Sequence, residues 1–492
     1  MYKFLLLLFL PAYSIAQPGA VTAIGKQVSL QRLKTNLYHI ASETMEGRMF
    51  GSRGDTLVSE FVAACFKAND VLAPYQDHGY FQEVTAVRNR QITRLTIGEK
   101  TSVLYDDWSL YPAMRLDLKN VPVLAVKFAS SDELLKEMHE LDVSGKLLLL
   151  NGKIMLRLFD TDRIDSVEHT LQRKGCLGIL WSGPSVSKQL QSMNEYARVD
   201  LYDNSFRKFR EMTGFPEIAI TRDRLNELLA KDNLTADDQS ALPDDGHTYP
   251  FVLKQTVSVF CEFRKETVTA PNVIGVIPGT DTSLSCIVVT AHHDHDGVDG
   301  NKIYYGAVDN GSGTAVIMEL ATLMNKAAKK GLRPKRTIVL ASVTGEERGL
   351  LGSSWYVDHP LIPLSKTHAV LNVDMLGRVD TFYSGRKPDS NYVYLVIKDS
   401  LNRGLRNSLY QANKQVKLKL DTYYEDPKFS ARRVGGSDQY PFYLKGIPFV
   451  RLDCGFCIDY HKTTDTPDRI NYPLLTRQTQ LVFYTLWNMA DK

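Results

Sequence analysis

Side chains that could bind a metal ion or move a proton follow apolar, strand-like runs at several points of the sequence. His292 and Asp294 come after the run 287–290, Glu346 and Glu347 after 337–343, Asp374 after 369–373, and His461 after 448–452. Open α/β sheets bind ligands beyond the carboxyl ends of their strands, so we expect these side chains to gather at one sheet edge. One chain thus offers two histidines and several carboxylates to a single site.

A further acid, Asp309, lies in the glycine-rich segment 306–313 at the start of a predicted helix. Imidazole together with carboxylate suits a pair of zinc ions, which need no thiolate. Two ions about 3.5 to 4 Å apart need a carboxylate that bridges them, and a short aspartate in a tight turn is a good candidate. Asp309 fits that role. Asp294, two residues after His292, can fix which imidazole nitrogen faces the metal.

The adjacent acids Glu346 and Glu347 would diverge on a regular strand, so both reach one site only from an irregular turn. Gly345 supplies such a turn. One glutamate can then bind metal while the other accepts a proton from a water at the site. His293 and His295 are set apart from this group: alternation turns His293 away from His292, and packed or surface positions are predicted.

From residue 257 onward, apolar strands alternate with amphipathic helices. Predicted strands cover 257–263, 273–277, 287–290, 337–343, 369–373, 392–397 and 448–452, and predicted helices cover 312–329, 350–357, 401–415, 438–445 and 473–489. This alternation indicates an α/β fold with a mostly parallel mixed sheet covered by helices on both faces. Two earlier helical patterns, 30–40 and 58–66, flank a loop punctuated by glycines.

The composition, 43% hydrophobic and 23% charged residues, is that of an ordinary globular protein. A formal net charge of +3 over 492 residues argues against nucleic acid as a partner. Met1 to Gln17, with one lysine, an apolar run and a small-residue end, has the layout of a secretory signal peptide cleaved after Ala16. The apolar run is shorter than the about 20 residues that a membrane-spanning helix needs, so we do not expect it to anchor the chain. As a cleaved signal peptide, it predicts export to the periplasm or to the extracellular space.

The texture of the sequence changes between 121 and 253, where short apolar strands alternate with charged helical stretches. We therefore predict a signal peptide at 1–16, a first part of the main domain at 17–115, a small insert at 116–250 and the main part at 251–492.

Among six cysteines, only Cys454 and Cys457 are close enough in sequence to suggest a local disulfide, with a redox pair as the alternative. The triplet Arg53-Gly54-Asp55 is explained by a turn rather than by adhesion.

Six segments resemble, in order, the signature of the M28 family of zinc metallopeptidases. They are NVIG at 272–275, AHHDH at 291–295, GAVDN at 306–310, GEERGLLGS at 345–353, NVDMLG at 372–377 and DYH at 459–461. The resemblance is strong over 255–492 and weak over 30–115. It implies the zinc-dependent exopeptidase fold and two Zn²⁺ ions per chain, bound by His292, Asp309, Glu347, Asp374 and His461 with Asp309 as the bridge. Glu346 would be the general base and Asp294 the residue that orients His292.

The insert resembles, more loosely, a protease-associated (PA) domain in its segments 143–147, 174–179 and 216–220. In such peptidases that domain is thought to shape access to the site. The chain departs from the family at Gln439, where members commonly have a histidine that is not a ligand. Some members also use an upstream tyrosine to stabilise the tetrahedral intermediate, and Arg433 or Tyr440 is a candidate substitute here.

The resemblance implies an aminopeptidase that acts on peptide or protein N-termini. The same scaffold resembles carboxypeptidases acting on acidic C-termini, for which Arg378, Arg432 or Arg433 could supply a cation. Glutaminyl cyclases share the fold with a single zinc, and a receptor-like binding protein would share it with none. About two zinc ions per chain would therefore indicate a peptidase, one a cyclase and none a binding protein.

Overall fold

A computed structural model of the chain describes residues 18–102, 104–183, 201–203, 212–236, 249–381, 391–401 and 403–492, together with Val186, Leu190 and Leu242. The predicted signal peptide, 1–16, lies outside these residues. Within them, no helix is both long and apolar enough to cross a membrane.

Helices and strands alternate along most of the described chain. The helices are α1 (Pro18–Gly25), α2 (Leu30–Ile40), α3 (Arg53–Ala68), α4 (Ser131–Glu137), α5 (Gly152–Asp160), α6 (Ile164–Arg173), α7 (Arg222–Leu229), α8 (Ser312–Lys329), α9 (Leu351–Asp358), α10 (Leu405–Val416), α11 (Pro427–Gly435), α12 (Gln439–Leu444) and α13 (Tyr472–Ala490). The strands are β1 (Phe81–Ile97), β2 (Lys100–Ser102), β3 (Trp108–Tyr111), β4 (Leu116–Ala125), β5 (Leu147–Asn151), β6 (Gly178–Ser182), β7 (Leu201–Asp203), β8 (Glu217–Ile220), β9 (Phe251–Ile277), β10 (Cys286–His292), β11 (Gly297–Asp299), β12 (Lys302–Tyr304), β13 (Ile338–Val343), β14 (Thr367–Val373), β15 (Tyr392–Lys398), β16 (Lys419–Asp421) and β17 (Phe449–Asp453).

One compact unit contains the described residues of 18–86 and 267–492. Its strands are ordered β16-β15-β17-β14-β10-β13-β9. β10 pairs in parallel with β13 and β14, and β14 pairs in parallel with β17. β9 runs antiparallel to β13, and β15 runs antiparallel to β17. The sheet is therefore mixed with a parallel centre, which confirms the predicted α/β fold.

Both faces of this sheet are covered, as the side chains of β10 show. Ile287, Val289 and Ala291 join an apolar cluster that includes residues of α2, α8 and α13. Val288 points to the opposite face and joins a second cluster with residues of α9 and α12. A strand with helices on both faces buries every residue, which explains the continuous apolar runs in the sequence.

The apolar pattern predicts separate strands at 257–263 and 273–277, but both belong to the single strand β9. Its first part, 251–261, pairs with β4, and its last part, 273–277, pairs with β13. Residues 264–269 between them are exposed or half-buried and largely polar. The change of partner strand therefore interrupts the hydrophobic pattern without interrupting the strand.

A second compact unit contains the described residues of Val87–Asp203 and 212–266. Its sheet follows the order β9-β4-β5-β6-β8-β3, in which β4, β5, β6 and β8 are parallel neighbours. Residues of α5 and α6 belong to one apolar cluster of this unit, and residues of α7 belong to another. The unit extends beyond the predicted insert, 116–250, at both ends, because β1 and β9 run past those boundaries. Its assignment as a PA domain stays a prediction.

Cys454 and Cys457 are buried thiols, so the local disulfide that their spacing suggests is absent from this described segment. Burial raises the pKa of the Cys457 thiol to about 11. In the triplet at 53–55, Gly54 lies in the first turn of α3, and Asp55 is fully buried. The Asp55 carboxylate accepts a hydrogen bond from the hydroxyl of Thr344 at 2.9 Å. A buried acid of this kind has a structural role, and the triplet begins a helix instead of forming the loop turn that its glycines predict.

Candidate metal centre

The candidate site lies at the carboxyl edge of the sheet of the first unit, where central strands end together. β10 ends at His292, which is level with Val343, the last residue of β13. β14 ends one residue before Asp374, and its Asn372 pairs with Thr290 of β10. The main-chain ladder thus brings His292, the turn after β13 and Asp374 to one place.

Asp309 reaches the same place from the loop that precedes α8. Gly306 opens this loop with φ +55°, a left-handed conformation that glycine adopts without steric strain. The carboxylate of Asp465 accepts hydrogen bonds from the main-chain nitrogens of Val308 at 3.0 Å and Asp309 at 3.2 Å. Burial raises the pKa of Asp465 to about 6. These two donations fix the loop that presents Asp309.

The two carboxylate oxygens of Asp309 face two different histidines. Oδ1 lies 3.4 Å from Nε2 of His292, and Oδ2 lies 3.1 Å from Nε2 of His461. Nε2 of His292 is also 3.4 Å from Oδ1 of Asp374, whereas Nε2 of His461 is 3.2 Å from Oε2 of Glu347. His292, Asp309 and Asp374 therefore form one group of three donors, and an oxygen of Asp309 and an oxygen of Glu347 both lie close to Nε2 of His461.

These donor groups fit a metal ion. Oδ1 of Asp374 and Nε2 of His461 are buried and have no hydrogen-bond partner. Buried polar atoms in native proteins are normally satisfied, and a cation between the donors would satisfy these two. A tetrahedron with zinc bonds of about 2.0 Å has edges of about 3.3 Å, close to the donor separations above. Imidazole and carboxylate are also ligands that zinc accepts.

The turn after β13 presents the two consecutive glutamates. Gly345 has φ +70°, which gives the irregular backbone that the sequence predicts. The carboxylate of Asp294 accepts hydrogen bonds from the main-chain nitrogens of Glu346 at 3.0 Å and Glu347 at 3.3 Å. Glu347 lies against His461, whereas Glu346 lines the adjoining cavity. The two acids are thus placed for different tasks.

Asp294 also approaches His292, the residue that it is predicted to orient. The main-chain oxygen of Asp294 lies 3.2 Å from Nδ1 of His292, and its carboxylate lies 3.5 Å from the same atom. A hydrogen bond from Nδ1 leaves Nε2 available to a metal. In this geometry the nearer acceptor is the main chain, while the Asp294 carboxylate holds the turn of the two glutamates.

The site concentrates negative charge away from water. Burial opposes the charged form of His292, but the neighbouring carboxylates, Glu346 first among them, outweigh it and raise the pKa of His292 well above its usual value. Burial together with the neighbouring acids also raises the pKa of Glu346 well above the ordinary carboxyl range. A divalent cation relieves such an excess of acids.

Two residues that the sequence did not single out as ligands also lie here. Nδ1 of His295 is 2.9 Å from Oε1 of Glu347, although a packed or surface position is predicted for His295. Oδ2 of Asp296 is 3.2 Å from Nδ1 of His461, and Oδ1 is 3.2 Å from Nη1 of Arg348. Strand alternation stops at the end of β10, so it does not turn these side chains away. The need of a ligand histidine for a second acceptor is a signal that could have found Asp296.

Arg48 supports the site from behind. Its buried guanidinium donates to the main-chain oxygens of His293 at 2.7 Å, Ile40 at 2.9 Å, Tyr305 at 2.7 Å and Gly306 at 2.9 Å. These bonds join the N-terminal segment to the two loops that carry His292 and Asp309. The sequence shows only a glycine-punctuated loop at this position, because all four acceptors are main-chain oxygens, which no residue type reveals.

Arg451 supports the site from the side of β17. Its Nη2 donates to Oδ2 of Asp374 at 3.0 Å, and its Nε lies 3.1 Å from Oδ2 of Asp453. The contact engages one oxygen of Asp374 and leaves Oδ1 for a metal. Arg451 lies within a buried strand, where the sequence gives no hint of its partners.

A cavity of about 360 Å³ opens beside these residues. Its lining includes Asp309, Glu346, Asp374, Arg432, Arg433, Tyr440, Arg451, Phe456 and Tyr460. Arg433 and Tyr440, the sequence candidates for stabilising an intermediate, both line it. Tyr460, which directly precedes His461, lines it as well, and its place next to a predicted ligand is the signal that could have found it.

Comparison with known proteins finds similarity over part of the chain. Residues 272–486 match the model of Peptidase family M28. The chain is 27% identical over 249 residues to leupeptin-inactivating enzyme 1 of Streptomyces exfoliatus, which covers 46% of this chain and 50% of that protein. It is 38% identical over 147 residues to a probable glutamate carboxypeptidase of Arabidopsis thaliana, which covers 29% of this chain and 20% of that protein. The chain thus spans half or less of the length of these relatives.

Two solved structures are similar over nearly the whole chain. The zinc aminopeptidase from Bacillus subtilis aligns with a TM-score of 0.55 at 16% identity, and the alignment covers 94% of this chain and 95% of that chain. The aminopeptidase from Aneurinibacillus sp. strain AM-1 has a TM-score of 0.54 at 17% identity and covers 96% of both. At this identity the likeness shows the fold. The predicted ligands, from His292 to His461, all lie within residues 272–486, the segment of the chain that matches the model of Peptidase family M28.

Proposed function

We propose that this chain is a zinc-dependent exopeptidase, an aminopeptidase that removes N-terminal residues from peptides or proteins. The observation that carries the proposal is Asp309, whose two oxygens face separate donor groups beside a cavity that Glu346 also lines. The match of residues 272–486 to the model of Peptidase family M28 and the names of the two similar structures support the same activity.

In this proposal the chain holds two zinc ions. His292, Asp309 and Asp374 would hold one ion, and Asp309, Glu347 and His461 would hold the other. When bound, two such ions would lower the pKa of a water at the site and polarise the scissile carbonyl. Each of these five side chains has a donor atom 3.1 to 3.4 Å from a donor atom of another member of the set.

Glu346 is the general base of the proposed reaction. Its carboxylate takes a proton from the attacking water and passes it to the amine nitrogen of the leaving peptide. A carboxyl in this position can accept the proton and hold it between the two transfers. The carboxylate of Asp294 positions Glu346 by accepting a hydrogen bond from the main-chain nitrogen of Glu346. Arg451 donates a hydrogen bond to one oxygen of Asp374.

Glu346→Gln tests the base. The variant should lose turnover of aminoacyl anilides and keep the zinc content of the wild type, because the amide fills the same space but cannot accept the proton. Glu99→Gln, an exposed position in the second unit, is the matched control and should keep both. Cleavage by Glu346→Gln at nearly the wild-type rate would show that Glu346 is not the base.

Zinc content and a substrate panel test the wider proposal. Two zinc ions per chain are expected, whereas one favours a cyclase and none favours a binding protein. The Arabidopsis relative and the guanidinium groups that line the cavity favour a carboxypeptidase as second candidate. Cleavage of N-blocked peptides from the C-terminus, without cleavage of aminoacyl anilides, would replace the aminopeptidase by that candidate.

A further inference from the structure

His295 is a fully buried histidine that contacts one of the proposed metal ligands. Its Nδ1 lies 2.9 Å from Oε1 of Glu347. Because a carboxylate only accepts hydrogen bonds, Nδ1 carries the proton and donates to this oxygen. The other oxygen of Glu347, Oε2, lies 3.2 Å from Nε2 of His461. His295 thus holds one oxygen of Glu347 and leaves the other for the ion that Asp309, Glu347 and His461 would hold.

Contacts from two other segments fix the imidazole ring of His295. The main-chain nitrogen of His295 donates to the main-chain oxygen of Arg48 at 3.2 Å. The ring packs on Gly306, where a Cβ atom would come within 2.5 Å of two ring carbons. Glycine at 306 therefore gives the ring the room that it needs. A side chain fixed in this way points its donor in one direction, as a residue that positions a ligand must.

The stability of the fold does not account for an imidazole at this position. Within the described part of the chain, Nε2 of His295 is buried without a hydrogen-bond partner. A buried polar atom without a partner destabilises a protein, and an apolar ring would avoid this loss. The hydrogen bond from Nδ1 to Glu347 is therefore what distinguishes histidine from an apolar residue here.

The first donor group contains a similar contact, made by a different residue. Nη2 of Arg451 donates to Oδ2 of Asp374 at 3.0 Å, and Oδ1 of Asp374 lies 3.4 Å from Nε2 of His292. In each group, one acid belongs to that group alone, and a buried N–H donor holds one of its oxygens. His295 contacts the acid of one group, and Arg451 contacts the acid of the other. Loss of either donor should therefore affect one ion more than the other.

The residue after His295 contacts the same donor group. Oδ2 of Asp296 lies 3.2 Å from Nδ1 of His461. Residues 295 and 296 therefore contact Glu347 and His461, the two ligands that the second ion would not share with the first. We propose that His295 is a positioning residue for this second zinc ion and acts through Glu347. The proposal rests on the two-zinc site of the proposed function and adds to it a residue that acts without being a ligand.

Two substitutions separate the hydrogen bond of His295 from its packing. His295→Phe keeps a planar ring and removes the donor, whereas His295→Asn keeps an N–H donor at the place of Nδ1 and removes most of the ring. Each variant is titrated with zinc alone in competition with a chelator. In His295→Phe, the dissociation constant of one zinc ion should rise about 10- to 100-fold, and that of the other should stay within about threefold of the wild type. His295→Asn should bind both ions within about threefold of the wild type, because it can still orient the ligand.

Thermal unfolding with chelator in excess reports packing without zinc. His295→Asn leaves a cavity and should melt below His295→Phe, the reverse of the order expected for zinc affinity. A role in packing alone would give the same order in both measurements and would overturn the proposal. Loss of one ion from His295→Asn as well would indicate that the imidazole is itself a ligand, and this result also overturns the proposal. If His295→Phe does not fold or melts below His295→Asn, His295→Leu, which also lacks the donor, replaces it under the same criteria.

Zinc binding as the readout separates this proposal from peptidase activity. His139→Phe, at an exposed histidine of the second unit, is the control and should bind zinc like the wild type. If one ion is lost from His295→Phe and the wild type cleaves no peptide substrate, the peptidase function fails and the role of His295 stands. If the wild type cleaves peptides and His295→Phe binds both ions normally, the role of His295 fails alone. A wild type that binds fewer than two zinc ions overturns both.

Discussion

Replacing Arg48 by lysine should destabilise the first unit and weaken metal binding together. Arg48 is fully buried and donates to four main-chain oxygens at 2.7 to 2.9 Å. Burial lowers its pKa to about 10, so the guanidinium stays charged at neutral pH. Lysine carries its three donors on one nitrogen and cannot reproduce the planar fork.

The size of the effect follows from the acceptors left unsatisfied. At least two of the four oxygens should lose their donor, and each unsatisfied buried acceptor costs about 1–3 kcal/mol. The free energy of unfolding of the first unit should therefore fall by about 2–6 kcal/mol. His293 and Gly306 are two of the acceptors, and they adjoin the loops of His292 and Asp309. Residues that support metal ligands in this way typically change metal affinity about 10- to 100-fold.

Thermal unfolding and competition with a zinc chelator measure the two effects on the same samples. Arg53→Lys is the matched control, because the Arg53 side chain is 62% exposed and its ion pair with Glu46, which is 41% exposed, lies at the surface. An exposed pair of this kind contributes at most about 1 kcal/mol, so the control should behave like the wild type. A wild-type melting temperature and zinc affinity in Arg48→Lys would refute the supporting role.

Three further outcomes are expected. Burial and the carboxylate of Glu168 raise the pKa of Glu217 to about 8 in the folded chain. The protonated carboxyl therefore contributes to the free energy of unfolding, fully below about pH 4.5, and this contribution is lost as the pH rises through 8. Glu217→Gln should therefore flatten the fall in melting temperature of the second unit between pH 5 and 9 and leave it unchanged near pH 4. Cys454 and Cys457 should both be alkylated after unfolding without reductant, and protection of both would indicate a disulfide. Gly54→Ala should destabilise the first unit strongly in thermal unfolding, because a Cβ there would come within 1.9 Å of a main-chain oxygen, and a melting temperature equal to the wild type would contradict that packing.

The sequence was sufficient for the fold class because each central strand is apolar on both faces. The runs that end at His292 and before Asp374 are continuous for this reason, and they mark both the strands and their carboxyl ends. The same order of segments identified the candidate ligands, since the chemistry of a metal site requires histidine and acid side chains that are visible as residue types. The long strand β9 escaped this pattern, because its partner changes from β4 to β13 at a polar stretch.

Supporting residues depended on tertiary structure. Arg48 acts on main-chain oxygens, which have no sequence signature, and Asp296 is recognised only once His461 is known to lie beside it. Arg433 is one arginine among many in the sequence. Its two aromatic neighbours and its place in the cavity arise from elements that meet only in the folded chain. The sequence by itself determined which side chains are candidates for the chemistry, and the packing of distant segments decided which charges are paired and which line the cavity.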